Sequence, residues 1–141
     1  MLNTRQSPIF SVLSWLGLSL AALLLGACAT QGEMMDSLNK TLRGYEKAVR
    51  WAKFDAAYSY HKWNTDQEAS IPTNMENIRV TKYESSSQRF DQQKLIMKQT
   101  ITLHYYNTGD LRERSLKHRH EWKYFPESKR WYLTSDPIVF P

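Results

Sequence analysis

Residues 94–125 read KLIMKQTITLHYYNTGDLRERSLKHRHEWKYF, two alternating runs set around one turn. In the first run, Leu95, Met97, Ile101, Leu103 and Tyr105 alternate with Lys98, Thr100, Thr102 and His104. That is the period of two of a half-buried strand, here Lys94 to Tyr106. Asn107-Thr108-Gly109-Asp110 is a strong turn signal, with Gly109 able to take φ > 0. Leu111 to Phe125 returns as the partner strand. Pro126-Glu127-Ser128-Lys129 makes the next turn, Arg130 to Ser135 forms the last strand, and Asp136-Pro137 ends it.

The two turns predict a register. A symmetric turn on Thr108-Gly109 pairs Tyr105 with Arg112, Ile101 with Leu116, Met97 with His120 and Leu95 with Trp122. A turn on Glu127-Ser128 pairs Tyr124 with Trp131 and Trp122 with Leu133. Both assignments put the aromatic and aliphatic residues on one sheet face. Upstream, Ile78, Val80 and Tyr83 start another strand, and the polar run Glu84–Gln93 reads as a loop or a ragged hairpin connection.

Before residue 78 the period is that of a helix. Asp36 is the expected N-cap, and Leu38, Leu42, Tyr45, Val49 and Ala52 form one apolar stripe. Gly44 inside this stripe weakens the helix by about 1 kcal/mol relative to Ala, and its small size suits the close approach of another element. The helix is expected to break near Lys53. Asp55 then caps a second short helix, with Ala56, Ala57 and Tyr60 available to pack and His61 and Trp63 near its end. Residues 64–77, around Pro72, read as a loop. Helices followed by an antiparallel meander give an α+β domain over residues 36–141, N-terminal helices on a curved sheet of about four strands.

The chain opens with a short positive region at Arg5 and an apolar run from Ile9 to Leu25. Leu25-Gly26-Ala27-Cys28 follows, and it resembles the lipobox of bacterial lipoprotein signal peptides. The resemblance implies cleavage between Ala27 and Cys28, so that residues 1–27 are a removed signal peptide. It also implies acyl chains on Cys28, an anchor in the membrane, and a tether over residues 28–35. Ala29 after the Cys, rather than Asp, implies the inner leaflet of the outer membrane in a Gram-negative cell. The competing expectation is an uncleaved signal anchor, because the apolar run nears the roughly 18 residues of a membrane span. Either way the bulk of the chain lies outside the cytoplasm.

Cys28 is the only Cys of 141 residues. Once acylated it leaves no thiol for a disulfide, so the domain must be held by packing. All eight Tyr and four of the five Trp lie beyond it. Loss of residues 1–27 removes one cation, Arg5, and no acid, leaving 18 Lys+Arg against 14 Asp+Glu. Much of the positive charge sits between Arg112 and Arg130, read as a solvated strand face that blocks edge pairing, with electrostatic attraction to an anionic membrane, lipopolysaccharide or cell-wall polymer as the alternative. Nucleic acid is not an expected partner of an envelope domain.

The element order, with the helix break at Trp51-Ala52-Lys53-Phe54-Asp55-Ala56-Ala57, resembles the cystatin-like, nuclear transport factor 2-like group of folds. That group includes enzymes, transport factors and assembly subunits, so the fold does not choose among functions. Some members hold a ligand between helix and sheet, and ketosteroid-isomerase-like enzymes use a Tyr with an Asp for enolisation. Here Asp36, Asp55, Asp110, Glu127 and Asp136 fall in expected turns and caps, and Glu113 and Glu121 on the outward strand face. No acid–base pair, phosphate loop or nucleophile elbow is legible. His118 and His120 point to one sheet face, as two metal ligands would. However, His104 points to the other face, Gln99 faces His118, and His61 is unplaced. The expectation is therefore a binding or assembly domain with no catalytic residues, cofactor or metal, and an envelope protein as possible partner. A small-ligand pocket or ketosteroid-isomerase-like enzyme is the alternative. Tyr58, Tyr60, Trp63, Tyr106, Tyr132 and Phe140 are more aromatics than so small a core should cover, and aromatics near Arg make interface anchors.

Overall fold

The computed structural model describes residues 9–63 and 75–141, with side chains from residue 30 onward. The signal and lipidation assignments, including Ala27 and Cys28, fall outside the described side chains, and most of the loop around Pro72 falls outside the described residues. Two compact units divide the chain, Met1–Asp36 and Ser37–Pro141.

The fold is α+β. Helix α1 spans Ile9–Arg50, α2 spans Phe54–Tyr58, and a single 3-10 turn covers Met75–Asn77. Four strands follow: β1 (Ile78–Asp91), β2 (Ile96–Asn107), β3 (Glu113–Phe125) and β4 (Arg130–Leu133). They form one open antiparallel meander in the order β1-β2-β3-β4.

The C-terminal part of α1 packs on the sheet through the expected stripe. Leu38, Tyr45, Ala48 and Val49 are buried, and Leu42 is half-buried. Asp36 is not an N-cap, because it lies inside α1. The helix ends where Ala52 turns to φ 51°. Lys53 N then donates to Ala48 O at 2.9 Å and Ala52 N to Val49 O at 3.0 Å, so the last carbonyls are satisfied. The second helix starts one residue before the expected cap. Lys53 holds the N-cap position, and Asp55 lies within the first turn, where its charge complements the helix dipole. Phe54, Ala57 and Tyr58 are its buried residues, while Ala56 is exposed.

A Cβ added at Gly44 would overlap the Tyr60 hydroxyl and lie 3.3 Å from Tyr60 Cζ. The glycine thus admits Tyr60, whose ring sits edge-on to Tyr45 at 5.8 Å and to Trp122 at 6.3 Å. Gly44→Ala gains about 1 kcal/mol of helix propensity but must displace this ring. The expected net result is a loss of about 1 kcal/mol in a urea melt. Gly44→Ala with Tyr60→Phe should recover most of it, and equal losses in both variants would count against the contact.

The sheet keeps the expected faces but not the whole expected register. Trp122 pairs with Leu133 and Tyr124 with Trp131, as the second turn predicts. Across the first turn the pairing is shifted by two: Tyr105 meets Arg114, Ile101 meets His118 and Met97 meets Trp122. Gly109 is not at positive φ; Leu111 is, at 53°. Asn107 makes the turn wider than expected. Its Oδ1 accepts from Gly109 N at 2.9 Å, and its carbonyl accepts from Leu111 N at 2.8 Å. A shift of two preserves the sides, so Ile101, Leu103, Trp122, Trp131 and Leu133 are all buried on the face toward α1.

The expected loop over Glu84–Gln93 is a strand for most of its length. β1 continues to Asp91 along β2, with register breaks between Val80 and Lys82 and between Ser86 and Arg89. Residues 84–89 are exposed throughout, so ladder hydrogen bonds rather than burial hold them. Such a segment carries no hydrophobic period for a sequence to display.

Candidate functional site

The inner face of β3 carries His118, His120 and Trp122 in alternation. His120 is 2 % exposed and Trp122 fully buried. Neither ring nitrogen of His120 has a hydrogen-bond partner, nor do His118 Nδ1 and Trp122 Nε1. Tyr45 of α1 stands edge-on to both His120 and Trp122, at 5.2 Å in each case. Perpendicular rings at this distance suit N–H···π contacts, which offset only part of the lost hydration. Buried polar groups are otherwise almost always paired, so this row is costly.

His61, unplaced by the sequence, joins the row. The chain after α2 runs parallel to β4 and covers its edge. Leu133 N donates to Tyr60 O at 2.9 Å, and Lys62 N donates to Leu133 O at 3.0 Å. This holds His61 buried, stacked on Trp63 at 4.8 Å and tilted against Tyr58 at 5.8 Å. Burial pushes the His120 imidazole down to about 3, with His118 and His61 adding to the shift. Burial likewise lowers His61 to about 4, with His118 helping and a Ser135 backbone contact opposing. His118 is also lowered by burial, against the pull of Asp136. Burial raises the Tyr45 and Tyr83 hydroxyls, so both stay neutral. Gln99 is buried beside this row, opposite His120 rather than His118, and accepts from Gln88 Nε2 at 3.3 Å. Among the described residues no group of three His, Cys, Asp or Glu is placed to hold a metal ion. A cavity of about 10 Å³ lies beside His61, between Tyr45, Phe54, Met75 and Ile138. That is room for about one water.

The outward face behaves differently. Lys98 pairs with Glu121 at 3.0 Å, Lys82 with Glu84 at 2.8 Å, and His104 lies 3.4 Å from Glu84. Glu113 is 3.9 Å from His104, so both expected outward carboxylates are occupied by neighbours. The basic stretch does not protect an edge, as β3 is an inner strand. Lys117, Arg119 and Lys123 are solvated charges on its outward side.

The aromatic surplus is smaller than expected. Tyr58 and Phe140 are buried: Tyr58 donates its hydroxyl to Ile138 O at 2.9 Å, and Phe140 packs on Phe54 and Tyr105. Tyr60, Trp63, Tyr106 and Tyr132 are half-buried. Among the described residues the most exposed aromatic is Trp51, 72 % accessible at the corner between α1 and α2. In the sequence it looks like part of a helix break.

A second concavity opens on the surface. A groove of about 280 Å³ is lined by Ser37 and Thr41 of α1, by Ser59 and Tyr60 after α2, and by Arg130, Trp131 and Tyr132 of β4. Thr41 Oγ1 donates to Ser37 O at 2.9 Å, and Ser59 Oγ donates to Ala56 O at 2.7 Å. Arg130 has no acid within ion-pair distance among the described residues. Lys62 stands over the Tyr132 ring, 5.1 Å from its centroid. Sequence reading missed this site because its walls come from three separated segments.

No family model, curated protein or solved structure matches this chain. Among the described residues no helix is long and apolar enough to cross a membrane.

Proposed function

We propose that the chain is a lipid-anchored lipoprotein of the bacterial cell envelope whose domain binds a partner and catalyses no reaction. The single observation that carries the binding part is the open groove between α1, the segment after α2 and β4. It is lined by five hydroxyl-bearing residues and one arginine, with no carboxylate among its described lining residues. Donors and acceptors without an acid–base pair suit recognition better than proton transfer. The anchoring part rests on Leu25-Gly26-Ala27-Cys28, which would place acyl chains on Cys28. Each buried CH₂ adds about 0.8 kcal/mol of membrane affinity, so several chains hold the protein for good. Ser37, the first groove residue, follows Cys28 by nine positions. Even a fully extended chain keeps it within roughly 30 Å of the anchored residue. In a Gram-negative cell, Ala29 directs this reading to the inner leaflet of the outer membrane, facing the periplasm. Exposed Trp51 offers a contact point for an envelope protein.

Intact-mass measurement on protein extracted from membranes tests the anchor. The expected species begins at Cys28 and carries added acyl mass, and Cys28→Ser should accumulate as unprocessed precursor. Acylated protein from that variant would overturn the assignment. Cross-linking in native membranes tests the binding role: a stoichiometric adduct lost in Trp51→Ala is the expected result.

A further inference from the structure

We propose that the α1–β4 groove takes a sugar unit bearing one acidic group, with the acid against Arg130 and the sugar hydroxyls against Thr41 and Ser59. This deepens the binding reading above and rests on it. The chemistry of each wall points the same way. A hydroxyl has one proton to donate. Thr41 and Ser59 have given theirs to the Ser37 and Ala56 carbonyls, so their oxygens meet the groove as acceptors. A ligand that fits them must bring its own donors, as a polyol does.

Arg130 asks for the opposite. Its guanidinium offers five N–H groups and no acceptor, and no described acid neutralises it. Its planar fork matches a carboxylate or phosphate edge-on. Among the described residues no carboxylate lines the groove to repel an anion. Trp131, 3 % exposed, lines the groove from the core side, and Tyr60 and Tyr132 flank it. Aromatic carbon beside hydroxyls gives a surface for the apolar face of a sugar ring. Size sets the upper bound. About 280 Å³ is just under the roughly 300 Å³ at which small-molecule pockets begin, so one sugar unit is accommodated and a larger apolar ligand is not.

An acidic sugar reaches an envelope protein from two sources, a carboxylated glycan or a phosphorylated sugar headgroup. Both present the same chemistry to Arg130. The test titrates the full chain, in detergent micelles, with D-glucuronic acid, glucose 1-phosphate, D-glucose and inorganic phosphate. Backbone amide shifts at Ser37, Thr41, Ser59 and Tyr60 report occupancy. At least one acidic sugar should bind tenfold or more tightly than glucose and than phosphate alone. Preference for glucuronic acid assigns the glycan source, and preference for glucose 1-phosphate the headgroup. Arg130→Gln should weaken that binding at least tenfold, whereas Arg119→Gln, on the outward face, should leave it unchanged. Thr41→Val, which keeps the shape of the wall but removes its acceptor, should weaken it several-fold. Phosphate binding as tightly as the sugars would reduce the groove to a plain anion site and overturn the proposal. So would equal binding of glucose, indifference to Arg130→Gln, or no shift with either acidic sugar. None of those failures touches the acyl mass on Cys28 or the cross-linked adduct.

Discussion

Acidification from pH 7 to pH 4.5 should destabilise the Ser37–Pro141 domain by about 2–3 kcal/mol through His120 alone. An unfolded imidazole titrates near 6.5. In the folded domain burial holds His120 down to about 3, with the neighbouring His118 and His61 assisting. Between those values the unfolded chain binds a proton that the folded one does not. Stability therefore falls as the pH drops through 6.5, and the loss from this group levels off below about 3. The groups around the ring oppose its charge or are neutral: Tyr45 and Trp122 edge-on, Gln99 across the ladder, and His118 beside it, with His61 adding to the repulsion. Asp136 acts on His118 and, among the described residues, moderates the row. Asp110, held down to about 2 by its Arg114 hydrogen bond, stays ionised at pH 4.5. Comparison with a variant that lacks the imidazole separates the histidine contribution from general acid unfolding. Urea melts of wild type and His120→Phe at the two pH values make the measurement. The Phe variant keeps the edge-on packing and removes two orphaned nitrogens. It should equal or exceed wild type at pH 7 and lose markedly less at pH 4.5. Identical losses in the two proteins would show that His120 is not the group that titrates.

The same row shows what a sequence displays and what it hides. Alternation along 94–105 and 114–124 is a local pattern, and it was enough to put Ile101, Leu103, Trp122 and His120 on one side. The pairing partner is not local. It depends on how many residues the turn absorbs, and Asn107 and Leu111 absorb two more than a symmetric turn on Thr108-Gly109 would. Only because the difference is even did the faces survive. Over residues 84–89, β1 is wet on both sides, so nothing in its composition separates strand from loop; its partner β2 decides. His61 could not be placed at all. Its position is set by the parallel bridge to Leu133, some seventy residues away. The groove was invisible for the same reason, since Thr41, Ser59 and Arg130 meet only after α1, α2 and β4 are assembled. By contrast, Gly44 advertised a close approach from its residue type, and the fold supplied Tyr60 as the group that approaches.

Leu103→Ala should cost about 2–5 kcal/mol, and Thr102→Ala, one residue earlier, no more than about 1 kcal/mol. Leu103 is fully buried in the middle of β2, opposite Leu116 on one side and Tyr83 on the other. Its truncation loses the transfer free energy of the removed carbons and leaves a cavity that a sheet paired on both sides cannot close. Thr102 lies on the outward face between Lys117 and Glu84 and is only half-buried. Its loss removes β propensity and a little packing. Because side chains alternate strictly, any slip of β2 by one residue would exchange these two costs, whereas a slip by two would leave them in place. The pair of variants therefore measures which face of β2 meets α1, not which residue pairs with which. Urea midpoints with an unchanged m-value are the readout. Equal small losses, or the larger loss at Thr102, would mean that the helix covers the opposite face and that the inward row of His118, His120 and Trp122 faces water instead.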